Sequence, residues 1–77
     1  MSAPRARLLG NHLKEYRARY GFTQQQLAER VGVTRKTINT VENAVFIPST
    51  VLALKLAQVL ETPVENLFFL PGKTDAE

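Results

Sequence analysis

TQQQLAERVGVTRKTINTVEN, residues 23–43, is the stretch of sequence that decides the fold. Its first apolar residues share one side of a short helix: Leu27, Ala28 and Val31. Thr23 is followed three residues later by Gln26, and this spacing predicts a capping box at the start of the helix. Gly32 comes next and can adopt the positive φ that a sharp turn requires. The pattern predicts a helix that ends abruptly at a tight turn.

A second short helix is predicted after the turn, at residues 35–43, with Thr34 in position to cap it. Its inward side carries Ile38, Val41 and Glu42, and its outer side carries Arg35, Lys36, Thr37, Asn39 and Thr40. Two short helices joined through a glycine turn form a helix-turn-helix motif. Because the outer side chains are donors suited to base edges in the DNA major groove, the second helix is predicted to read DNA.

Composition limits the other functions that this chain could have. It has 77 residues, of which 44% are hydrophobic and 22% charged, as is typical of one small globular domain. It contains no cysteine and a single histidine, His12, so we expect no disulfide, no metal site and no cofactor. The sequence offers no nucleophile with a matching base and no phosphate-binding loop, so we do not expect an enzyme. It lacks an apolar run of about 20 residues and a signal peptide, so we expect a cytoplasmic protein that does not bind membranes.

The charges are distributed unevenly along the chain. Eight of the ten lysines and arginines lie in residues 1–36 with only two carboxylates, whereas residues 37–77 are net acidic. No acidic residue occurs from Arg30 to Val41. This segregation favours binding of a polyanion to one side of the molecule, although a solvated basic face is also compatible with it.

Three more helices are predicted around the motif, at residues 8–20, 50–60 and 63–67. The first carries Leu9, Leu13, Tyr16 and Tyr20 at helical spacing. Ser49 is placed to cap the helix at residues 50–60, and Thr62 with Glu65 predicts a capping box for the last helix. We therefore predict a compact all-α domain of five helices over residues 8–70. Residues 1–7 are expected to form a basic arm that either reaches DNA or frays without a role, and residues 71–77 a polar tail.

The chain resembles the phage repressor and Cro-like helix-turn-helix family, also called the xenobiotic-response-element type. The resemblance covers residues 11–68 and rests on residues that match the family in order and spacing: Leu13, Arg17, Gly21, Phe22, Thr23, Gln24, Leu27, Ala28, Val31, Gly32, Val33, Thr34, Ile38, Glu42, Asn43, Pro48, Ser49, Leu56, Ala57, Leu60, Leu67 and Phe68. It implies a lambda-repressor-like fold. Small bacterial members of the family usually act as homodimeric transcriptional repressors on palindromic operators.

The resemblance also implies roles for single residues. Those expected to contact bases are Arg35, Lys36, Asn39 and Thr40, and those expected to contact phosphates are Gln24, Thr34, Thr37 and Asn43. The physics agrees for Gln24, because a side-chain amide and the free N–H groups of a helix N-terminus both suit an anion. The alternatives are that Gln24 is merely solvated and that Thr34 and Thr37 only cap the helix.

One position departs from the family pattern. Ala44 stands where the family commonly has glycine, which would close the second helix of the motif in a left-handed conformation. Either alanine adopts that conformation at a cost of about 1 kcal/mol, or the helix continues a residue further. We expect the loop to differ locally and the fold to be preserved.

The resemblance also pairs Arg17 of the first helix with Glu42 of the second helix of the motif. We interpret this ion pair as partly buried and orienting rather than strongly stabilising. The alternative is an exposed pair of little consequence.

Some apolar residues do not fit the predicted core: Val51, Leu54, Val64, Phe69 and Leu70. We expect them to form a homodimer interface, because a solvent-exposed apolar cluster promotes association. A dimer can also place the second motif helices of its two copies in successive major grooves about 34–36 Å apart. The alternative is that Phe69 folds back over Leu8.

Two functions of different classes follow from this sequence. The first is a sequence-specific, homodimeric transcriptional repressor with no small-molecule ligand. The alternative is an antitoxin-like or adaptor protein whose helix-turn-helix domain mainly binds a protein partner.

Overall fold

A computed structural model describes residues 8–71, and these residues form five helices and two short strands. In chain order the elements are β1 (Gly10–Asn11), α1 (Leu13–Arg19), α2 (Gln24–Val31), α3 (Arg35–Glu42), α4 (Thr50–Val59), α5 (Val64–Leu67) and β2 (Phe68–Phe69). The prediction of a five-helix domain is confirmed, and a small sheet is added to it. The predicted arm at residues 1–7 lies outside the described residues, as does the predicted tail apart from Pro71.

The first helix is shorter than predicted, because its expected start is a strand. Strand β1 pairs antiparallel with β2, and α1 begins only at Leu13. The Asn11 side chain stabilises this start, since its Oδ1 accepts the N–H of Leu13 at 3.0 Å and its Nδ2 donates to the carbonyl oxygen of Val41 at 2.9 Å. The prediction of a helix over residues 8–12 is therefore wrong. Pairing with the far end of the chain leaves no mark on the local spacing of apolar residues.

The predicted helix-turn-helix motif forms as α2, a tight turn and α3. Thr23 Oγ1 accepts the N–H of Gln26 at 3.0 Å, and Gln26 Oε1 accepts the N–H of Thr23 at 2.8 Å, which completes the capping box. Gly32 has a φ of 79°, in the left-handed region where a side chain would be strained. Thr34 caps α3 by accepting the N–H of Thr37 at 3.3 Å. Local hydrogen bonds therefore define the start of each helix of the motif.

Helix α3 ends at Glu42, and Ala44 adopts the left-handed conformation with a φ of 59°. Of the two alternatives considered for this position, alanine takes the strained turn and the helix does not continue. The turn is held by the N–H groups of Val45 and Phe46, which both donate to the carbonyl oxygen of Thr40, at 2.8 and 3.1 Å. The loop that follows α3 is thus bonded to the helix itself.

The last two helices begin differently. Ser49 caps α4 as predicted. The capping box predicted from Thr62 and Glu65 does not form, because Pro63 occupies the N-cap position of α5 and leaves Thr62 one residue too early. Thr62 Oγ1 instead accepts a hydrogen bond from Asn66 Nδ2 at 3.0 Å.

Apolar side chains from all five helical regions form the core. The largest fully buried ones are Leu13, Leu27, Ile38, Val41, Leu56, Leu60 and Leu67. Burial of each stabilises the fold by about 1.5–3 kcal/mol relative to exposure. Tyr20, the last residue of the predicted apolar side of α1, remains exposed and donates its hydroxyl hydrogen to Glu61 Oε1 at 2.8 Å. One side of α3 therefore packs against the core, and its other side is exposed to solvent.

Candidate nucleic-acid interface

Helix α3 has one buried side and one exposed side. Ile38 and Val41 are buried in the core against α2 and its neighbours. Arg35 and Lys36 are exposed at the N-terminal end of the helix, and Asn39, half-buried, follows one turn later. The outer side of α3 is therefore a polar ridge on a helix whose diameter suits the B-DNA major groove, which is about 12 Å wide.

The segment that contains α3 carries cations and exposes no carboxylate. From Arg30 to Leu60 the only acidic residue is Glu42, and its side chain is 4% exposed. Arg35 and Lys36 are exposed within the same segment, and Arg30 lies over the Phe22 ring at 4.6 Å from its centroid. A surface of this sign attracts phosphates, which acidic groups would repel.

The structure brings together the two residues of the predicted ion pair. Arg17 Nε donates to Glu42 Oε2 at 2.5 Å and Arg17 Nη2 to Glu42 Oε1 at 3.3 Å, and the two side chains are 14% and 4% exposed. Arg17 Nη1 also donates to the carbonyl oxygen of Phe22 at 2.8 Å. The pair joins α1 to the end of α3, so it fixes the angle at which α3 leaves the core.

Gln24, the first residue of α2, lies between this ion pair and the outer ridge. Its Nε2 donates to Glu42 Oε1 at 3.0 Å, and its Oε1 accepts from Arg35 Nη1 at 3.4 Å. One N–H of the amide remains for a further acceptor. No local sequence pattern predicts that Gln24 contacts both Arg35 and Glu42, because these residues lie on two different helices.

The other predicted contact residues are partly engaged within α3. Thr34 Oγ1 accepts the N–H of Thr37, and the two hydroxyl oxygens are 3.1 Å apart. Thr40 Oγ1 donates to the carbonyl oxygen of Thr37 at 3.0 Å. Asn43 Nδ2 donates to the Asn39 carbonyl oxygen at 2.9 Å and to its Oδ1 at 3.2 Å. Arg35 and Lys36 are therefore the residues of α3 with the most donors left for an external partner.

Two residues outside the predicted site lie at the C-terminal end of this ridge. Val45 is 66% exposed and Phe46 50% exposed, and their N–H groups are bonded to Thr40. The signal available in the sequence was a pair of large apolar residues in a loop with no helical spacing. They extend the ridge with an apolar surface.

The predicted dimer residues fall into two groups. Val51, Leu54 and Val64 line one shallow groove between α4 and α5, and Val51 and Leu54 are more than half exposed. Phe69 lies elsewhere, with its ring stacked on that of His12 at a centroid distance of 4.8 Å. It also covers Gly10, where an added Cβ would lie 2.4 Å from the ring. Phe69 thus folds back onto the N-terminal segment, at Gly10 and His12, while Leu70 remains 83% exposed.

The profile of the helix-turn-helix family matches residues 13–67, a range that includes all five helices of the described residues. The chain belongs to the helix-turn-helix family. This regulator family consists of DNA-binding proteins rather than enzymes. Within residues 8–71 of this helix-turn-helix protein, no helix is both long enough and apolar enough to cross a membrane.

Several relatives and solved structures match most of this helix-turn-helix protein. It is 43% identical over 60 residues to the uncharacterized HTH-type transcriptional regulator YgzD of Bacillus subtilis, a match that covers 78% of this chain and 91% of the relative. It is 44% identical over 59 residues to an uncharacterized HTH-type transcriptional regulator of Methanothermobacter thermautotrophicus, over 75% of this chain and 86% of the relative. Among solved structures, the restriction-modification controller protein C.AhdI from Aeromonas hydrophila is 33% identical, with a TM-score of 0.66 over 70% of this chain and 78% of that chain.

Proposed function

We propose that this regulator is a homodimeric, sequence-specific repressor that acts in the cytoplasm by binding a palindromic operator with α3 in the major groove. The observation that carries the proposal is the exposed pair Arg35 and Lys36 at the start of α3, within a segment that exposes no carboxylate from Arg30 to Leu60. Binding to a promoter would exclude the transcription machinery, so repression requires no ligand-binding domain.

In this proposal four residues of α3 read base edges. Arg35 bridges guanine O6 and N7 with two hydrogen bonds, and Lys36 reaches the same acceptors as a point charge. Asn39 hydrogen-bonds an adenine. The hydroxyl hydrogen of Thr40 is used within the helix, so its methyl group is the part available to contact a thymine methyl.

Four further residues contact the DNA backbone. They are Gln24, Thr34, Thr37 and Asn43. Gln24 has one amide N–H left for a phosphate oxygen and lies at the N-terminus of α2, where the helix dipole favours an anion. Backbone contacts of this kind set the register of the protein on the duplex and carry no sequence information themselves.

The dimer in this proposal uses the apolar groove and the exposed end of the domain. Val51, Leu54 and Val64 line the groove, and the proposed interface also includes the exposed Phe69 and Leu70, which do not line it. A C2 dimer presents the same patch twice and relates the two α3 helices by a two-fold axis, which a palindromic operator would match.

Selection of bound fragments from random duplex DNA tests this function directly. We expect a palindrome with half-sites about one helical turn apart, and an affinity that falls steeply on a plot of log Kd against log salt. Sedimentation of the purified complex should give two chains per duplex. Recovery of no preferred sequence, together with stable binding of a protein from the same cells, would instead favour the adaptor function.

A further inference from the structure

An open pocket lies where the C-terminal ends of α1, α2 and α4 meet. It has a volume of about 610 Å³, and six residues line it: Tyr20, Phe22, Arg30, Gln58, Val59 and Glu61. None of these residues belongs to α3, so the pocket is separate from the polar ridge. We term it the helix-end pocket.

Four side chains of the helix-end pocket form a row with a cation at one end and a carboxylate at the other. The Arg30 guanidinium lies over the Phe22 ring at 4.6 Å from its centroid, and Phe22 is stacked on Tyr20 at a centroid distance of 5.7 Å. The Tyr20 hydroxyl donates to Glu61 Oε1 at 2.8 Å. Opposite charges therefore flank a pair of aromatic rings.

The groups of this row retain capacity for an external partner. Among residues 8–71, the Arg30 side chain forms no hydrogen bond and no salt bridge, so the N–H donors of its guanidinium remain for a carboxylate. Glu61 is exposed and accepts the Tyr20 hydroxyl through one of its two oxygens, which leaves the other for a donor. Tyr20 is 41% exposed, so an apolar group can pack against its ring.

The two charged groups are also restricted before any partner binds. Glu61 has a φ of 53°, and this left-handed conformation is retained by hydrogen bonds from the N–H groups of Glu61 and Thr62 to the carbonyl oxygens of Gln58 and Ala57, at 3.2 and 3.0 Å. The aromatic ring beneath the Arg30 guanidinium attracts it and limits its positions. Groups that are already positioned lose less freedom on binding, which favours association.

We propose that the helix-end pocket is a docking site for a segment of a partner protein in which an apolar residue lies between an acidic and a basic residue. The acidic side chain pairs with Arg30, the apolar one packs on Tyr20 and Val59, and the basic one pairs with Glu61. Exposed tyrosine and arginine are enriched among the residues that contribute most to protein interfaces. A nucleic acid is a poorer match, because the Glu61 carboxylate repels phosphates.

The experiment titrates the purified protein with blocked peptides and follows its backbone amide resonances by NMR. The first peptide is acetyl-Asp-Ala-Leu-Ala-Lys-amide, whose charged and apolar side chains lie on one side of an extended segment. The second has the reverse order, acetyl-Lys-Ala-Leu-Ala-Asp-amide, and the third, acetyl-Lys-Ala-Leu-Ala-Lys-amide, has no acidic residue. The proteins are wild type, Arg30→Glu and the matched control Arg19→Glu. Arg19 lies over the Tyr16 ring at the same 4.6 Å but does not line the pocket.

We expect one of the two peptides that contain aspartate to shift the resonances of Tyr20, Phe22 and Glu61, with a Kd on the order of 0.1–1 mM. Arg30→Glu should weaken that peptide by more than about 10-fold, the worth of one charge-assisted hydrogen bond, and should bind the peptide with two lysines instead. Arg19→Glu should behave as the wild type. Arg30→Gln removes the cation without adding a carboxylate and gives the same test if Arg30→Glu does not fold.

Three results would overturn the inference. The first is that no peptide shifts these resonances, and the second is that the peptides bind wild type and Arg30→Glu equally. The third is that free phenylalanine shifts them while the peptides do not, which would indicate a small zwitterion as the ligand. The titration contains no DNA, so its outcome is independent of the proposed repressor function.

Discussion

At the scale of single residues, Glu42 accepts hydrogen bonds from two side chains on different helices. Arg17 of α1 and Gln24 of α2 both donate to it, and its side chain is almost completely buried. A buried carboxylate is tolerated when its charge is paired and its oxygens are hydrogen-bonded. The same burial means that the loss of one partner leaves the other charge uncompensated.

Replacement of this carboxylate by an amide of the same shape should therefore destabilise the fold. We expect Glu42→Gln to lower the free energy of unfolding by about 3 kcal/mol, because the 14%-exposed Arg17 side chain would keep an unpaired charge. Urea denaturation measures the difference. Glu29→Gln is the matched control, since Glu29 is exposed and accepts a hydrogen bond from Gln25 of its own helix, and it should change stability by less than about 0.5 kcal/mol. Equal effects of the two substitutions would contradict the energetic role of the pair.

A second residue-scale prediction concerns Tyr20. The hydrogen bond from its hydroxyl to the Glu61 carboxylate raises the pKa of Tyr20 above its ordinary value of 10.0, because it stabilises the protonated phenol. The contribution to stability is present below the pKa of the unfolded chain and is lost as the pH rises through the raised pKa of the folded state. Absorbance of the phenolate should show that Tyr20 loses its proton at a lower pH in Glu61→Gln than in the wild type. An unchanged titration would mean that the bond does not persist in solution.

At the scale of elements, the end of α3 combines a strained residue with an ordered loop. Ala44 has a φ of 59°, yet the two following N–H groups both bond to Thr40, so the turn is retained. Surrounding hydrogen bonds of this kind can hold a residue in a sparsely populated conformation. Helix α3 and the exposed Val45 and Phe46 are therefore joined by a hydrogen-bonded turn.

Glycine at this corner should stabilise the protein. We expect Ala44→Gly to raise the free energy of unfolding by about 0.5–1 kcal/mol, because relief of left-handed strain exceeds the added freedom of the unfolded chain. The control is the same substitution at Ala18, which is exposed within α1 and should lower stability by about 0.5–1 kcal/mol. Chemical denaturation of both variants checks the opposite signs. A loss of stability in both would show that the corner at Ala44 is not strained.

At the scale of the whole molecule, the polar ridge and the apolar groove are formed by different elements. The ridge lies on α3, and the groove lies between α4 and α5. Their residues are not shared, so self-association and base reading can be altered separately. This separation is what a two-fold dimer requires if both copies of α3 are to remain accessible.

A charge placed in the groove should separate the subunits of the proposed dimer. Leu54 is 54% exposed, so we expect Leu54→Lys to leave the fold intact and to convert the dimer to a monomer. Analytical ultracentrifugation gives the mass, and operator binding should weaken by more than about 100-fold because one half-site supplies only part of the contacts. Ala18→Lys adds the same charge on α1 and should leave the mass unchanged. A dimeric Leu54→Lys protein would place the interface elsewhere.

The sequence by itself determined the motif at the centre of the fold. Each helix boundary in the motif depends on residues no more than one helical turn away, at the caps Thr23 and Thr34 and at the turn residue Gly32. These boundaries can therefore be predicted from neighbouring residues in the sequence. The exposed side of α3 followed from the same periodicity, because its opposite side had to be buried. The outward-facing residues of the candidate site were predictable on this ground.

Only the tertiary structure decided where α1 begins and that Phe69 packs on Gly10 and His12. It also decided which side chains contact Glu42 and Gln24. The β1–β2 pairing joins the two ends of the described chain. The hydrogen bonds Arg17–Glu42, Gln24–Glu42 and Arg35–Gln24 span 25, 18 and 11 residues of sequence. Such contacts depend on how the core orients whole helices, and several arrangements of the helices satisfy the same local spacing. For this reason the sequence could predict Gln24 and Arg35 as separate contacts, but the bond between them required the packed fold.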